Sequence, residues 1–205
     1  MRFLVIYHSF THQAALVAGK IAEEAVRQGG SAALCRVDFA DPTQRRQAPV
    51  PFAVIKEWSD LAKAGTTVPV ELTPATIDPA GYDRVILLSN TWSFHPSVPI
   101  QSLLKSDVGR QLLADRKVAV GIVCRGFFSK NLAIVKDLVA QDGGTVITHE
   151  VFAHAGGWLL STIANVTGMT KADPPRKFGP FRLPPFGVSP QSLAKIPDFV
   201  SRAIA

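Results

Sequence analysis

The apolar residues of this chain fall into two patterns that alternate along its length. Five short segments are almost continuously apolar: Phe3–Tyr7, Ala32–Val37, Arg84–Ser89, Lys117–Cys124 and Thr145–Val151. Such segments are typical of strands that are covered on both faces, as in a parallel sheet. Between them, apolar residues recur every three or four positions, which indicates helices. The alternation predicts an α/β fold with a doubly wound, five-stranded parallel sheet and helices on both of its faces.

Glycine and proline mark where several of these segments end. The first helical pattern runs from Ala14 to Val26 and stops at Gly29-Gly30. Residues 38–81 contain six prolines, so most of this region is predicted to be connection, with one short helix around Trp58. We expect Trp58 to belong to the core rather than to a ligand site. Pro197 lies inside the last helical pattern and predicts a kink or a restart there.

The loop between the first strand and the first helix is the best candidate for an anion site. It carries two hydroxyls, Ser9 and Thr11, at the carboxyl end of a strand, where open α/β sheets bind ligands. The helix that begins near His12 or Gln13 adds free backbone N–H groups, so the loop suits a phosphate. The alternative is that Ser9 and Thr11 only cap the helix. Neither a Walker loop nor G-x-G-x-x-G is present, which disfavours an ATPase or a standard dinucleotide-binding domain.

Length and charge narrow the functional classes. The 205 residues fit one domain, and a net charge of +6 favours phosphates, anionic membrane surfaces or acidic proteins as partners. No nucleic-acid-binding motif occurs, so we expect no nucleic acid partner. The N-terminal apolar run is too short for a signal peptide, which predicts a cytoplasmic protein.

The cysteine and histidine spacings indicate neither a disulfide nor a metal site. Cys35 and Cys124 lie in separate predicted strands and match no zinc or redox motif. His8 and His12 are spaced like metal ligands, but no third ligand is evident, so no metal is expected.

Two loops and three further segments resemble known flavoproteins. Tyr7–Gln13 resembles the Y-x-S-x-T-G-x phosphate loop of the flavodoxin-like superfamily, and Ser89–Pro96 is similar to its second flavin loop, with its S-P-T-W/Y pattern. A more specific resemblance, to the dialkylresorcinol condensing enzyme family of that superfamily, is carried by Phe94–Lys105, Val123–Arg125 and Leu183–Ser189. The segment Leu183–Ser189 is its most specific part.

This resemblance implies strand order 2-1-3-4-5, with FMN lying across the loops that follow the first, third and fourth strands. It places around the phosphate Ser9, Phe10, Thr11, His12 and Gln13. It places along the flavin ring Thr91, Trp92, Ser93 and Phe94, and at the far edge of the ring Cys124, Arg125 and Gly126. His12 stands where the superfamily usually has Gly, and Ala14 where it usually has a phosphate-binding Thr. A pocket that has lost flavin is therefore the alternative.

Two residues are candidates for direct chemical roles, because flavin enzymes leave the redox step to the cofactor and use protein groups to hold the substrate and its proton. His95 follows Trp92 and Phe94 at the expected ring edge, and histidine titrates near neutral pH. Arg125 can hold a carbonyl or enolate oxygen through its donor fork. The alternatives are a packed loop histidine and an arginine paired with a carboxylate. We expect Cys124 to be a buried strand-end residue rather than a nucleophile.

Residues 151–188 are predicted to form a cap inserted between the last strand and the last helix of a single domain spanning residues 1–205. Residues 151–170 contain no charged side chain, yet their glycines and polar residues argue against a membrane span and favour a short amphipathic helix. An apolar roof over the cleft is predicted from Trp158, Leu159, Leu160, Phe178, Phe181 and Phe186. A homodimer surface and a peripheral membrane contact are the alternatives for this segment.

Three functions agree with these features. The first is an FMN-dependent oxidoreductase that acts on a cyclic diketone, a quinone or another apolar aromatic precursor, with NAD(P)H as electron donor or acceptor; the resemblance implies an aromatising oxidation in resorcinol-type biosynthesis. The second is a flavin-free condensing or binding protein that uses the same cleft. The third is a flavodoxin-type electron carrier, for which the sequence pI of about 9.6 is unusual because such carriers are typically acidic.

Overall fold

A computed structural model describes the backbone of residues 1–205 and every side chain except that of Trp158. The strands are, in chain order, β1 (Arg2–Tyr7), β2 (Ser31–Phe39), β3 (Val70–Thr73), β4 (Arg84–Trp92), β5 (His95–Pro96), β6 (Lys117–Cys124), β7 (Thr145–Ala153), β8 (Lys177–Phe178) and β9 (Phe181–Arg182). The helices are α1 (Gln13–Arg27), α2 (Phe52–Ala64), α3 (Val98–Leu104), α4 (Asp107–Leu113), α5 (Ser129–Gln141), α6 (Trp158–Thr170), α7 (Pro190–Leu193) and α8 (Ile196–Ile204).

The central sheet has the order β3-β2-β1-β4-β6-β7, and all its neighbouring pairs except β3–β2 are parallel. The five parallel strands therefore follow the predicted order 2-1-3-4-5. The prediction of exactly five strands is wrong in one respect, because β3 adds an antiparallel edge strand beside β2 and β5 forms a short hairpin with β4. β3 lies between Pro69 and Pro74 in the region that was predicted to be mostly connection, and an edge strand needs pairing on one side only.

The sheet is covered on both faces, as the continuous apolar strands predict. In β1, Leu4 and Ile6 join a cluster that includes α3, α4 and α5, whereas Phe3 and Val5 join a second cluster with α1 and α8. Each of these four side chains is at most 2% exposed. A third, aromatic cluster around α2 contains Trp58. Because both faces are buried, the polar ends of the strands are the places where a ligand can reach the sheet.

The last helical pattern restarts at the predicted place. α7 ends at Leu193 and α8 begins at Ile196, so Pro197 occupies the first turn of α8, where a missing N–H costs nothing. On the other sheet face, α3 and α4 are also separate elements rather than one continuous helix.

Residues 155–187 leave the sheet after β7 and return beside it. His154 and Val188 form an isolated antiparallel bridge, and the Ala155 N–H donates to the Gly187 carbonyl at 3.0 Å. The excursion contains α6 and the hairpin formed by β8 and β9. Among the described residues, none of the helices is both long and apolar enough to cross a bilayer.

Candidate functional site

A cavity of about 290 Å³ opens at the carboxyl ends of β1, β4 and β6. α2 forms one side of it, and α6 covers another. It is lined by Phe10, Thr11, Gln13, Ala14, Ile55, Trp58, Ser59, Asn90, Thr91, Trp92, Ser93, Phe94, Val123, Cys124, Arg125, Gly126, Phe127, His154, Thr162, Asn165, Val166 and Met169. The three loops that sequence reasoning assigned to one ligand therefore meet around one cavity.

Ten of the predicted cofactor-binding residues line this cavity, and two do not. The ten are Phe10, Thr11, Gln13, Thr91, Trp92, Ser93, Phe94, Cys124, Arg125 and Gly126. Ser9 is 3% exposed, and its Oγ accepts a hydrogen bond from the Ala15 N–H at 3.1 Å. Ser9 therefore caps the start of α1, which was the alternative to phosphate binding, while Thr11 lines the cavity. His12 is exposed and lies outside the lining.

The first loop keeps a glycine-like backbone although it contains no glycine. His12 has φ 60° and ψ −2°, in the left-handed region that histidine adopts much less readily than glycine. This conformation brings the chain into the first turn of α1, where the N–H groups of Gln13 and Ala14 have no intrahelical acceptor. The helix terminus and Thr11 thus lie at the same end of the cavity, where their donors would suit an anion.

Gln13 ties this loop to the returning end of the cap. Its Oε1 accepts a hydrogen bond from the Val188 N–H at 2.9 Å. Gly187 has φ 114°, and a Cβ there would lie 2.4 Å from the same oxygen, so only glycine fits. The segment Leu183–Ser189 therefore docks directly on the first loop.

Stacked aromatic rings form one wall of the cavity. The rings of Trp58 and Trp92 are 5.2 Å apart and nearly parallel, at 7°, and Phe10 meets Trp58 edge-on at 5.1 Å. Trp58 is 6% exposed, as expected for a core residue, but it also lines the cavity. The aromatic wall offers a flat, apolar surface to a ring-shaped ligand.

A tight turn places His95 outside the cavity. Ser93 and Phe94 both have positive φ, 46° and 73°, and they reverse the chain between β4 and β5. His95 becomes the cross-strand partner of Trp92, and its Nδ1 hydrogen-bonds the Ser93 carbonyl at 2.8 Å. The expectation that His95 borders the ring edge is therefore wrong in position, since a sequence pattern does not show a turn that two left-handed residues make.

Two polar atoms beside the cavity are buried without partners. Among the described side chains, Arg125 Nη1 and Asn90 Oδ1 are buried and accept or donate no hydrogen bond. Burial lowers the pKa of the Arg125 guanidinium, but arginine stays charged at neutral pH. The pairing of Arg125 with a carboxylate, the alternative weighed from sequence, is absent from the described residues. A buried donor without an acceptor costs about 1–3 kcal/mol, so this cavity has one donor and one acceptor that a ligand would satisfy.

A buried hydrogen-bond chain orients Thr91. Ser89 Oγ donates to Asn131 Oδ1 at 2.8 Å, and Asn131 Nδ2 donates to Thr91 Oγ1 at 2.8 Å. Because the Thr91 oxygen accepts from this amide, its own proton is available to donate into the cavity. Asn131 on α5 is fully buried and was not among the predicted site residues.

His154 is the main functional candidate that sequence reasoning missed. It lines the cavity at the end of β7, and burial lowers its pKa from 6.5 to about 4, against a hydrogen bond with Asn165 that raises it. The imidazole is therefore neutral at pH 7. A signal did exist in the sequence: the carboxyl end of the fifth parallel strand lies at the same edge as the other three loops.

Cys124 lines the cavity but is a poor nucleophile. Burial raises the pKa of its thiol to about 11, and the same cause raises the pKa of Cys35 to about 12. Both thiols are protonated at neutral pH, in agreement with a strand-end role for Cys124. Within the part of the chain that the structure describes, no group of three His, Cys, Asp or Glu side chains is arranged to hold a metal ion.

α6 covers the cavity with a different face from the one predicted. Its lining residues are Thr162, Asn165, Val166 and Met169. Of the side chains expected to roof the cleft, Leu159, Phe178 and Phe181 are exposed, and Leu160 and Phe186 line a second cavity behind α6. Trp158, the sixth, lies outside the described side chains. The cap does reach the cleft, but the surface that it presents there is mixed rather than apolar. The prediction named other residues because composition alone does not show which face of a helix is turned towards the cleft.

Two exposed aromatic residues meet at the mouth of the cavity. Phe94, from the turn after β4, and Phe127, from the loop after β6, have ring centroids 5.3 Å apart. They are 49% and 51% exposed, and both have positive φ. The pair bridges two loops that border the cavity.

No family model matches this chain, and no curated protein does. Solved structures do resemble it. A flavoprotein from Lactobacillus acidophilus NCFM, solved in complex with FMN, matches 73% of this chain and 92% of its own with 20% identity and a TM-score of 0.57. A putative flavoprotein from Bacteroides eggerthii DSM 20697 matches 73% of this chain and 87% of its own with 15% identity and a TM-score of 0.53. A flavodoxin from Streptococcus pneumonia TIGR4 matches 100% and 98% with 8% identity and a TM-score of 0.50. Together with the strand order, these similarities show that the chain has the flavodoxin-like fold.

Proposed function

We propose that this protein binds FMN in the cavity and is an FMN-dependent oxidoreductase that acts on a cyclic diketone, a quinone or another aromatic-precursor ring. The observation that carries the proposal is the unsatisfied pair Arg125 Nη1 and Asn90 Oδ1 in an aromatic-lined cavity at the carboxyl edge of a flavodoxin-like sheet. FMN would supply the transfer of electrons, as flavins do in other enzymes.

The polar groups of the cavity fit the pyrimidine edge of a flavin ring. That edge presents two carbonyl acceptors on either side of one N–H donor. Arg125 supplies the missing donor and Asn90 the missing acceptor, and the Thr91 hydroxyl adds a second donor. Trp92 and Phe10 provide the flat apolar surface that the ring face needs. The residues present therefore suit the ring portion of FMN.

The phosphate end fits less fully. The Thr11 hydroxyl and the N–H groups at the start of α1 face this end, but Ser9 Oγ is already used within the helix cap. Ala14 brings no hydroxyl. A hydrogen bond to a charged group contributes about 1.5–3 kcal/mol, so two missing hydroxyl contacts predict weaker FMN binding than a complete phosphate loop would give.

Three features support an enzyme over an electron carrier. The partly buried guanidinium of Arg125 would stabilise negative charge that develops on the ring or on a substrate enolate. The chain's net charge of +6 differs from that of the acidic carriers it resembles. In addition, α6 covers part of the cavity, which excludes water from a reacting ring. A carrier needs its flavin edge exposed to partner proteins.

The chain's own residues would then have separate tasks. Arg125 holds a carbonyl or enolate oxygen, and the neutral His154, fixed by Asn165, offers one ring nitrogen for a further hydrogen bond. The stacked Trp58 and Trp92 exclude water from one face. The resemblance of Leu183–Ser189 to the dialkylresorcinol condensing enzyme family supports a dialkylated ring as the substrate, and hence an aromatising oxidation.

The first test is titration of purified protein with FMN, followed by quenching of flavin fluorescence. We expect saturable binding of one FMN per chain. The loaded protein is then mixed with NAD(P)H and a simple quinone, and with an alkyl-substituted cyclohexanedione under air. Turnover of a ring substrate supports the enzyme; FMN binding with electron transfer only to protein acceptors would support the carrier instead.

A flavin-free binding or condensing protein is the second candidate, and one observation favours it. Trp58 and Trp92 stack on each other, and Phe94 contacts Phe127 at the mouth of the cavity, so these rings already have aromatic partners without a flavin. If the protein does not quench the fluorescence of FMN, calorimetric titration with the same cyclohexanedione shows whether the cavity binds a ring compound without flavin. Binding that requires Arg125 would support the flavin-free protein.

A further inference from the structure

The hairpin of the cap ends in two adjacent aromatic side chains. β8 and β9 pair antiparallel, with Phe178 opposite Phe181 and Lys177 opposite Arg182. Gly179 has φ 57° and starts the two-residue turn between them, which suits a turn with glycine at its first central position. Opposite residues share a face of a hairpin and neighbours alternate, so the two rings lie on one face and the two cations on the other.

Both rings of this tip are exposed to solvent. Phe178 is 57% exposed and Phe181 is 59% exposed, although both are large apolar side chains. Scattered exposed apolar residues are common, but two together at a protruding turn indicate a contact surface.

Basic side chains flank the two rings along the chain. Between residues 171 and 182 the chain has four basic side chains, Lys171, Arg176, Lys177 and Arg182, and the single carboxylate Asp173. Among the ion pairs formed by the described residues, none includes any of the four. Their charge is therefore available to an anionic partner.

A second cavity, of about 800 Å³, lies behind the hairpin. Leu160 and Ala164 of α6 and Leu183 form its apolar wall, while Arg176 and Arg182 line it as well. Asp173 lines it too, so the space combines apolar side chains with two guanidinium groups and one carboxylate. The excess of positive charge favours an amphipathic anion such as a phospholipid.

We propose that the hairpin docks the protein on an anionic lipid bilayer. Phe178 and Phe181 enter the boundary between headgroups and acyl chains at the tip of the hairpin, and the basic side chains of residues 171–182 contact the headgroup phosphates. A stable protein–protein interface buries about 800 Å² on each partner, which two rings at a turn do not provide. A second copy of this chain would bring the same cations against its own, so charge complementarity favours the membrane. The inference does not depend on FMN binding.

The test is flotation of the full-length protein with vesicles of phosphatidylcholine alone and with vesicles that also contain phosphatidylglycerol. We expect partitioning onto the anionic vesicles that falls as salt is added. The double variant Phe178→Ser, Phe181→Ser should lower the partition coefficient by about tenfold or more, since each ring loses its apolar contact. Arg176→Gln and Lys177→Gln should each lower it by about fivefold.

Two matched variants serve as controls. Phe52, at the start of α2, is 60% exposed, and Phe52→Ser should leave partitioning unchanged. Lys117, at the start of β6, is exposed, and Lys117→Gln should also have no effect. Circular dichroism checks that each variant is folded, and the charge variants test the surface independently of the ring variants.

Three results would overturn the proposal. Equal partitioning of the wild type onto neutral and anionic vesicles would remove the role of the cations. Unchanged partitioning of the double variant would remove the role of the rings. A dimer on gel filtration that the double variant abolishes, without vesicle binding by the wild type, would assign the hairpin to a second copy instead.

Discussion

Replacing Arg125 with Gln should change protein stability and FMN affinity in opposite directions. Arg125 Nη1 is buried without a hydrogen-bond partner, a cost of about 1–3 kcal/mol to the ligand-free fold. Gln removes the charge and most of that cost but also loses some packing of the side-chain stem. We therefore expect the ligand-free variant to be between unchanged and about 1 kcal/mol more stable, which for a chain of this size raises Tm by about 2–4 °C or less.

FMN binding should suffer in the same variant. A hydrogen bond from a charged donor contributes about 1.5–3 kcal/mol, which corresponds to roughly 10- to 150-fold weaker binding. Thermal unfolding without ligand and fluorescence titration with FMN measure the two effects separately. A variant that merely unfolds cannot produce both results.

Arg116 provides the matched control. Its Nη1 donates to the Tyr82 carbonyl at 2.9 Å, so this guanidinium is satisfied, and it precedes β6 at the opposite end of the strand from the cavity. Arg116→Gln should cost about 1 kcal/mol of stability and leave FMN affinity unchanged. The reasoning is refuted if Arg125→Gln destabilises the protein as Arg116→Gln does while binding FMN as tightly as the wild type.

Three further predictions concern the aromatic wall, the missed histidine and the cap. Trp92→Ala should weaken FMN binding several-fold in a fluorescence titration, since stacking contributes about 0.5–1.5 kcal/mol beyond area burial; unchanged affinity in a folded variant would contradict it. Burial lowers the pKa of His154 from 6.5 to about 4, so as the pH is lowered the unfolded chain takes up this proton before the folded protein does. The free energy of unfolding should therefore decrease between pH 6.5 and pH 4, and at pH 5 it should be roughly 2 kcal/mol lower than at pH 7. Urea unfolding at pH 7 and pH 5 should show a smaller difference for His154→Gln, and equal differences would refute the assignment. Gly168→Ala in α6 should destabilise, because its Cβ would lie 2.5 Å from the Phe186 ring, whereas Gly19→Ala in α1 meets nothing within 4 Å and should stabilise by about 1 kcal/mol. Thermal melts that show the same sign for both glycines would count against the docking of α6.

The architecture could be predicted from sequence because it depends on burial. Phe3–Tyr7 and Lys117–Cys124 are strands within one residue of their predicted limits, since an apolar run without alternation is stable only between two layers of helices. β3 was missed for the opposite reason. None of its four residues is fully buried, and they include Glu71, so pairing with β2 rather than a hydrophobic pattern determines the strand.

The site was predictable only as far as strand ends determine it. Three loops converge because parallel strands end at one edge, so Thr11, Trp92 and Arg125 could be assigned to one cavity. His95 was misplaced because a turn of two left-handed residues is not encoded in residue type; Phe is unusual at such a position. His154 was missed because the predicted strand stopped at Val151, three residues short of it.

The two ends of the cap lie side by side at the end of β7. The Ser189 N–H donates to the Ala153 carbonyl at 3.0 Å, and the chains entering and leaving residues 155–187 run side by side at the end of β7. Domain insertions are tolerated where the two attachment points are adjacent, because the scaffold need not open to accept them. The segment 155–187 can therefore be regarded as an insertion in the α/β domain. Its length and sequence, and with them the surroundings of the cavity, can change without any change to the register of the sheet.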